Sequence, residues 1–155
     1  MIKIIEGDFT VCEGRFAIVA TRFNRFIVDS LLEGALDTLR RHGVADNAIT
    51  TIRVPGAYEM PLVINRVARS GQYQAIIALA CIIRGDTPHF DYVAGECARG
   101  ITQASLAHDV PIGFGVLTTD TIEQAIERAG AKAGNKGADA ALAALETANL
   151  LRRLD

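Results

Sequence analysis

Nine consecutive residues, Ala75 to Ile83, are apolar without interruption. The run is far too short to cross a bilayer, which takes about 20 residues. A strand with one wet face would alternate polar and apolar positions, and this one does not. It reads as a strand covered on both faces. Such strands belong to largely parallel sheets with helices packed above and below.

The remaining chain supplies those helices. Met1 to Ile5 reads as a short edge strand, and Arg15 to Ala20, apolar and partly β-branched, as a central one. Thr21 to Asn24 forms a turn. Ile27, Leu31, Ala35 and Leu39 then recur at helical spacing until Gly43 stops the helix. Ile49 to Val54 is a second strand, ended by Pro55-Gly56, and a helix covers Met60 to Arg69. After the strand Ala75 to Ile83, a helix runs from Pro88 to about His108, and Pro111 to Thr118 is a fourth strand. Asp120, with Glu123 three residues on, predicts an N-cap and capping box. That helix runs to Ala129. Gly130, Gly134 and Gly137 interrupt it, and an Ala-rich helix closes the chain from about Ala138 to Leu154. Strand and helix alternate four times. Right-handed crossovers then predict a three-layer, doubly wound, flavodoxin-like α/β sheet of four parallel strands, in one domain spanning residues 1–155.

Composition removes several function classes. A net charge of −2 with 16 basic and 18 acidic residues leaves no basic footprint for nucleic acid or an anionic membrane surface. Half the residues are hydrophobic, which is apolar for a small monomer and points to subunit contacts. Cys12, Cys81 and Cys97 are odd in number and widely spaced, as reduced cytosolic thiols are. His42, His89 and His108 are dispersed, so no metal-ligand spacing appears. No cleavable apolar leader is visible at the N-terminus. The expectation is a cytoplasmic protein that uses no metal.

The segment after the long strand carries the chemistry. Ile83-Arg84-Gly85-Asp86-Thr87-Pro88-His89 turns on a glycine and opens a helix at Pro88. Thr87 is expected as N-cap, Pro88 as the first helical residue and His89 as the second. Strand-to-helix turns at the carboxyl end of an open sheet are where such folds keep ligands, and their N–H groups suit an anion. His89 there is either a general acid/base or a structural loop histidine. Arg128, Lys132 and Lys136 fall at i, i+4 and i+8, either a phosphate-binding stripe or a solvated basic face of one helix. Phe23 and Phe114 can stack on a flat ring or pack in the core. Glu59, in Pro55-Gly56-Ala57-Tyr58-Glu59-Met60-Pro61, is either a hydroxyl acceptor or a helix-N-terminal acid.

Taken together these pieces resemble the lumazine synthase family. Four segments carry the resemblance in order: Ala20 to Asn24, Val54 to Pro61, Ile82 to Phe90, and Gly115 through Arg128 to Gly137. The third and fourth are long and specific, and the likeness spans nearly the whole chain. It implies joining of 5-amino-6-(D-ribitylamino)uracil to 3,4-dihydroxy-2-butanone 4-phosphate, through imine formation, phosphate loss and ring closure with loss of water. No cofactor is implied.

By the same resemblance, Phe23 stacks on the pyrimidine. Ala57 and Glu59, with Tyr58 between them in the substrate-binding set, meet the ribityl chain. The backbone of Cys81, Ile82 and Ile83 reads the pyrimidine edge. Gly85, Asp86 and Thr87 hold the phosphate together with Arg128, and His89 transfers protons. Phe114 and Arg128 come from a neighbouring subunit, and Lys136 lies near the site. Asp86 departs from the small residue usual there, so its side chain is expected to point away from the anion. The resemblance further implies a homopentamer, a sixty-subunit shell, an N-terminal strand paired with a neighbour, and possible association with riboflavin synthase. A flavin-binding container that has lost catalysis and a riboflavin synthase on a similar fold are the competing readings. His89 with Arg128 argues against the first, and Gly85, Thr87 and Arg128 against the second.

Overall fold

A computed structural model describes residues 1–10 and 13–155. Strand β1 (Phe16–Thr21) leads into helix α1 (Arg25–Arg41), and a short 3-10 turn precedes β2 (Ile49–Val54). Then follow α2 (Met60–Arg69), β3 (Ala75–Ile83), α3 (His89–His108) and β4 (Ile112–Thr119). The chain ends with α4 (Ile122–Glu127), the two short strands β5 (Ala129–Ala131) and β6 (Gly134–Asn135), and α5 (Lys136–Leu154).

The main sheet has four strands in the order β2-β1-β3-β4, all parallel. Helices α1 and α5 pack on one face, and α2 and α3 on the other. The crossover from β1 to β2 moves one way across the sheet with α1 on its face. The next, from β2 to β3, moves the other way with α2 on the opposite face. Opposite direction on opposite faces is one constant hand, as parallel crossovers require. The reversal leaves a switch point between β1 and β3, whose carboxyl ends carry the turns to α1 and α3.

Two apolar layers hold this together. Alternate residues of β1 and β3 enter each: Phe16, Ile18, Ile77 and Leu79 face α1 and α5, while Val19, Ile76 and Ala78 face α2 and α3. These side chains are fully buried. Each large one contributes about 1.5–3 kcal/mol of transfer free energy. Continuous apolar runs hold only for these two central strands. Edge strands β2 and β4 alternate in part, with Thr51, Phe114 and Thr118 reaching solvent.

Several expectations are corrected. Residues 1–5 form no strand within this chain and lie exposed. Instead, α5 anchors the segment that follows them. Asn149 donates to the carbonyls of Asp8 and Thr10, both at 2.8 Å, and Arg153 donates to the Glu6 carbonyl. The α4 cap is Thr121 rather than Asp120: its hydroxyl accepts from the Gln124 N–H at 3.1 Å, and the Gln124 side chain closes the capping box. The helix ends at Glu127. A two-stranded turn over β5 and β6 follows, with Gly130 at φ 115° and Gly134 at φ 80°, backbone that favours glycine. Arg128, Lys132 and Lys136 therefore share no helix, and the cationic stripe does not form. No described helix is long and apolar enough to cross a membrane. Cys81 and Cys97 are buried free thiols, and Cys12 lies outside the described residues.

Candidate active site

The switch point opens into a cleft of about 870 Å³ at the carboxyl ends of β1, β2 and β3. That volume suits a small-molecule site. Three turns build its walls.

The turn after β1 prolongs the sheet. The Arg22 N–H donates to the Val54 carbonyl at 2.8 Å, and the Phe23 N–H to Pro55 at 3.2 Å. With its backbone thus held, Phe23 projects its ring into the cleft, 71% exposed. A core phenylalanine would not be so exposed. Asn24 takes left-handed backbone at φ 58° and donates from Nδ2 to the Cys81 carbonyl at 2.7 Å. This bond ties the turn after β1 to the end of β3, straight across the switch point.

The turn after β2 supplies Ala57, Tyr58 and Glu59. Bonds from the Glu59 N–H to Gly56 and from Met60 to Ala57, both 3.3 Å, fold it tightly into α2. A Cβ on Gly56 would sit 3.2 Å from Glu59 Oε1, so the carboxylate lies close over this glycine.

The end of β3 brings Cys81, Ile82 and Ile83 to the cleft, and the following loop adds Gly85, Thr87 and His89. Burial pushes the Cys81 thiol up to about 11. It stays protonated at neutral pH, which makes the thiol a poor nucleophile there. Thr87 is not the N-cap. Pro88 occupies that position without a side-chain cap, because the helix begins one residue later, at His89. Among the described residues, the backbone N–H groups of Gly85, Asp86 and Thr87 donate to no carbonyl. They are open to solvent on an exposed loop. Asp86 is exposed and is not part of the cleft wall.

A family model described as 6,7-dimethyl-8-ribityllumazine synthase matches residues 13–152. The chain belongs to this family. Lumazine synthases are transferases of riboflavin biosynthesis, so the cleft lies in an enzyme of that pathway.

Besides Asp86, three of the residues carried over from lumazine synthases stand apart from the cleft in a single chain. Phe114, on edge strand β4, is 49% exposed. Arg128 caps the end of α4 and donates from Nη1 to the Gln124 carbonyl at 3.0 Å. Lys136 opens α5, with its Nζ 3.7 Å from Asp139. Conversely, the cleft includes residues that sequence reasoning gave no role. Asn24 bridges β1 and β3, and Tyr92 and Val93 line the cleft beside His89. The spacing was available: positions 89, 92 and 93 share one helix face. Among the described residues, no three His, Cys, Asp or Glu side chains converge as a metal site would need.

Proposed function

We propose that the chain condenses 5-amino-6-(D-ribitylamino)uracil with 3,4-dihydroxy-2-butanone 4-phosphate to 6,7-dimethyl-8-ribityllumazine, releasing phosphate and two waters. The convergence of Phe23, Glu59, the end of β3 and the Gly85–His89 loop on one cleft carries this reading. Each part answers one part of the substrates. Phe23 presents a ring face for the pyrimidine. The backbone of Cys81 to Ile83 meets its polar edge. Ala57, Tyr58 and Glu59 face the ribityl hydroxyls. The open N–H groups of Gly85, Asp86 and Thr87, before the first turn of α3, receive the phosphate.

The amine adds to the ketone and loses water to form an imine. Phosphate then leaves, and ring closure onto the second carbonyl loses the second water. Every step moves a proton, and His89 lies in the same wall as the phosphate loop. Holding both reactants in one cleft supplies much of the acceleration.

Phe114 and Arg128 complete the site from a neighbouring subunit in this reading. The exposed apolar side chains of Phe26, Leu62, Leu106, Phe114 and Ile122 suit burial between subunits. Residues 1–5, exposed and largely apolar, suit pairing with a neighbour's sheet edge. The assembly is a homopentamer, and the short β5–β6 turn matches a sixty-subunit shell. A cytoplasmic location and association with riboflavin synthase belong to the same reading.

Turnover tests it. Purified protein given both substrates forms a species absorbing as lumazine and releases phosphate, while omission of either substrate abolishes both signals. Intact oligomer without turnover would contradict it and favour a flavin-binding container. Light scattering tests the assembly separately: a monomer at micromolar concentration would refute the pentamer.

A further inference from the structure

Arg84 follows the last paired residue of β3 and does not itself line the cleft. Its N–H donates to the Thr119 carbonyl at 2.8 Å, which ends the β3–β4 ladder. Its side chain is held from three sides. Nε donates to Asp120 Oδ1 at 2.9 Å, and Nη1 lies 3.5 Å from Asp91 Oδ1. The guanidinium carbon stands 4.4 Å over the Phe90 ring. Asp120 belongs to the β4–α4 connection, and Phe90 and Asp91 to the first turn of α3.

One planar cation thus joins the strand before the phosphate loop to the helix after it. The loop between them has no backbone bond of its own from Gly85, Asp86 or Thr87. Its shape is set at its ends. Charge matters as well. Asp86, Asp91 and Asp120 place three carboxylates around a loop read as a dianion site, and Arg84 pairs with two of them.

We propose that Arg84 is a positioning residue for this loop: it fixes Gly85 to Thr87 between β3 and α3 and masks Asp91 and Asp120 from the substrate phosphate. The inference rests on the phosphate reading of the loop. Arg84 touches neither reactant. Lysine cannot replace it fully, because the fork and the stack on Phe90 need a planar guanidinium. A purely structural role is the rival explanation. Surface ion pairs contribute little to stability, and the Arg84 side chain is 45% exposed. Its removal should therefore be read in substrate binding rather than in folding.

The test uses the assembled protein and two readouts: inorganic phosphate affinity by calorimetry, and steady-state KM for each substrate. Arg84→Ala weakens phosphate binding and raises the ketone-phosphate KM about 10-fold, while the KM for the aminouracil stays within about twofold. Arg84→Lys falls between the variant and the parent. Adding Asp91→Asn and Asp120→Asn to Arg84→Ala recovers part of the lost phosphate affinity, because the carboxylates no longer need masking while the loop stays unfixed. Unchanged phosphate affinity in Arg84→Ala, or an equal rise in both KM values, would overturn the positioning role. Triple-variant affinity no better than that of Arg84→Ala would overturn the masking. If Arg84→Ala does not assemble, Arg84→Lys carries the same KM comparison. Parent protein that neither binds phosphate nor turns over overturns the functional reading itself.

Discussion

At the scale of the residue, His89 matters because of what precedes it. The loop before it leaves its N–H groups open, so the histidine sits beside a place where an anion can bind. His89→Ala is expected to lower kcat by about 100-fold or more, the usual loss of a general acid/base. Initial rates at saturating concentrations of both substrates check this. An unchanged kcat would reduce the histidine to positioning. Asp86→Ala is expected to leave the ketone-phosphate KM within about twofold, since the carboxylate stands outside the cleft wall. A large fall in KM would show that it repels the substrate. Gly85, Thr87 and His89 were legible because strand, turn and helix follow one another in the sequence. Arg84 was not. Its partners Asp91 and Asp120 lie on separate elements, and only the fold brings them to one guanidinium.

At the scale of the element, β2, α2 and β3 match their sequence expectations residue for residue. Pro55-Gly56 and Gly71 bracket these segments with unambiguous stops. The start of α4 was misread because Asp120 with Glu123 and Thr121 with Gln124 both fit the capping-box spacing, and the fold uses the second pair. The β5–β6 turn was hidden by its basic residues, which fall at helical spacing while Gly130 and Gly134 take positive φ. This turn feeds α5 through Asn135, which accepts from the Ala138 N–H at 3.0 Å and donates to the Ser30 carbonyl of α1 at 3.0 Å. Asn135→Ala removes a cap and a bridge between helices. It should cost about 1–2 kcal/mol, read as a lowered Tm at fixed protein concentration. Gly137 lies where α5 crosses α1: a Cβ there would come within 2.0 Å of the Leu31 carbonyl oxygen. Gly137→Ala should destabilise by about 1–3 kcal/mol in the same assay, because backbone must move.

At the scale of the whole molecule, the layers were legible and the assembly was not. The apolar runs of β1 and β3 predicted a covered sheet, but no pattern within one chain says which faces meet a second copy. The N-terminal segment shows this most clearly. Residues 1–5 are exposed, yet Asn149 and Arg153 pin the residues after them to α5. Asp8 belongs to this clamp. Hydrogen bonds from the Thr10 hydroxyl and N–H, then from Arg153, hold its carboxyl below the ordinary value. A carboxyl depressed in the folded state contributes fully above its unfolded value and loses that contribution as pH falls through the folded one. Acidification below about pH 4 should therefore loosen the N-terminal segment from α5. Protection of the amides of residues 6–10 that falls between about pH 6 and pH 3, while that of β3 holds, would show it.

The central claim is that one chain provides the cleft and its neighbour completes it. Co-expression of His89→Ala and Arg128→Ala subunits at equal levels tests this most directly. Each variant alone is impaired, but a mixed oligomer contains interfaces where an intact His89 faces an intact Arg128. Random mixing makes about one interface in four complete, so about a quarter of the parent rate should return. Mixed oligomers no more active than the better single variant would contradict a shared site.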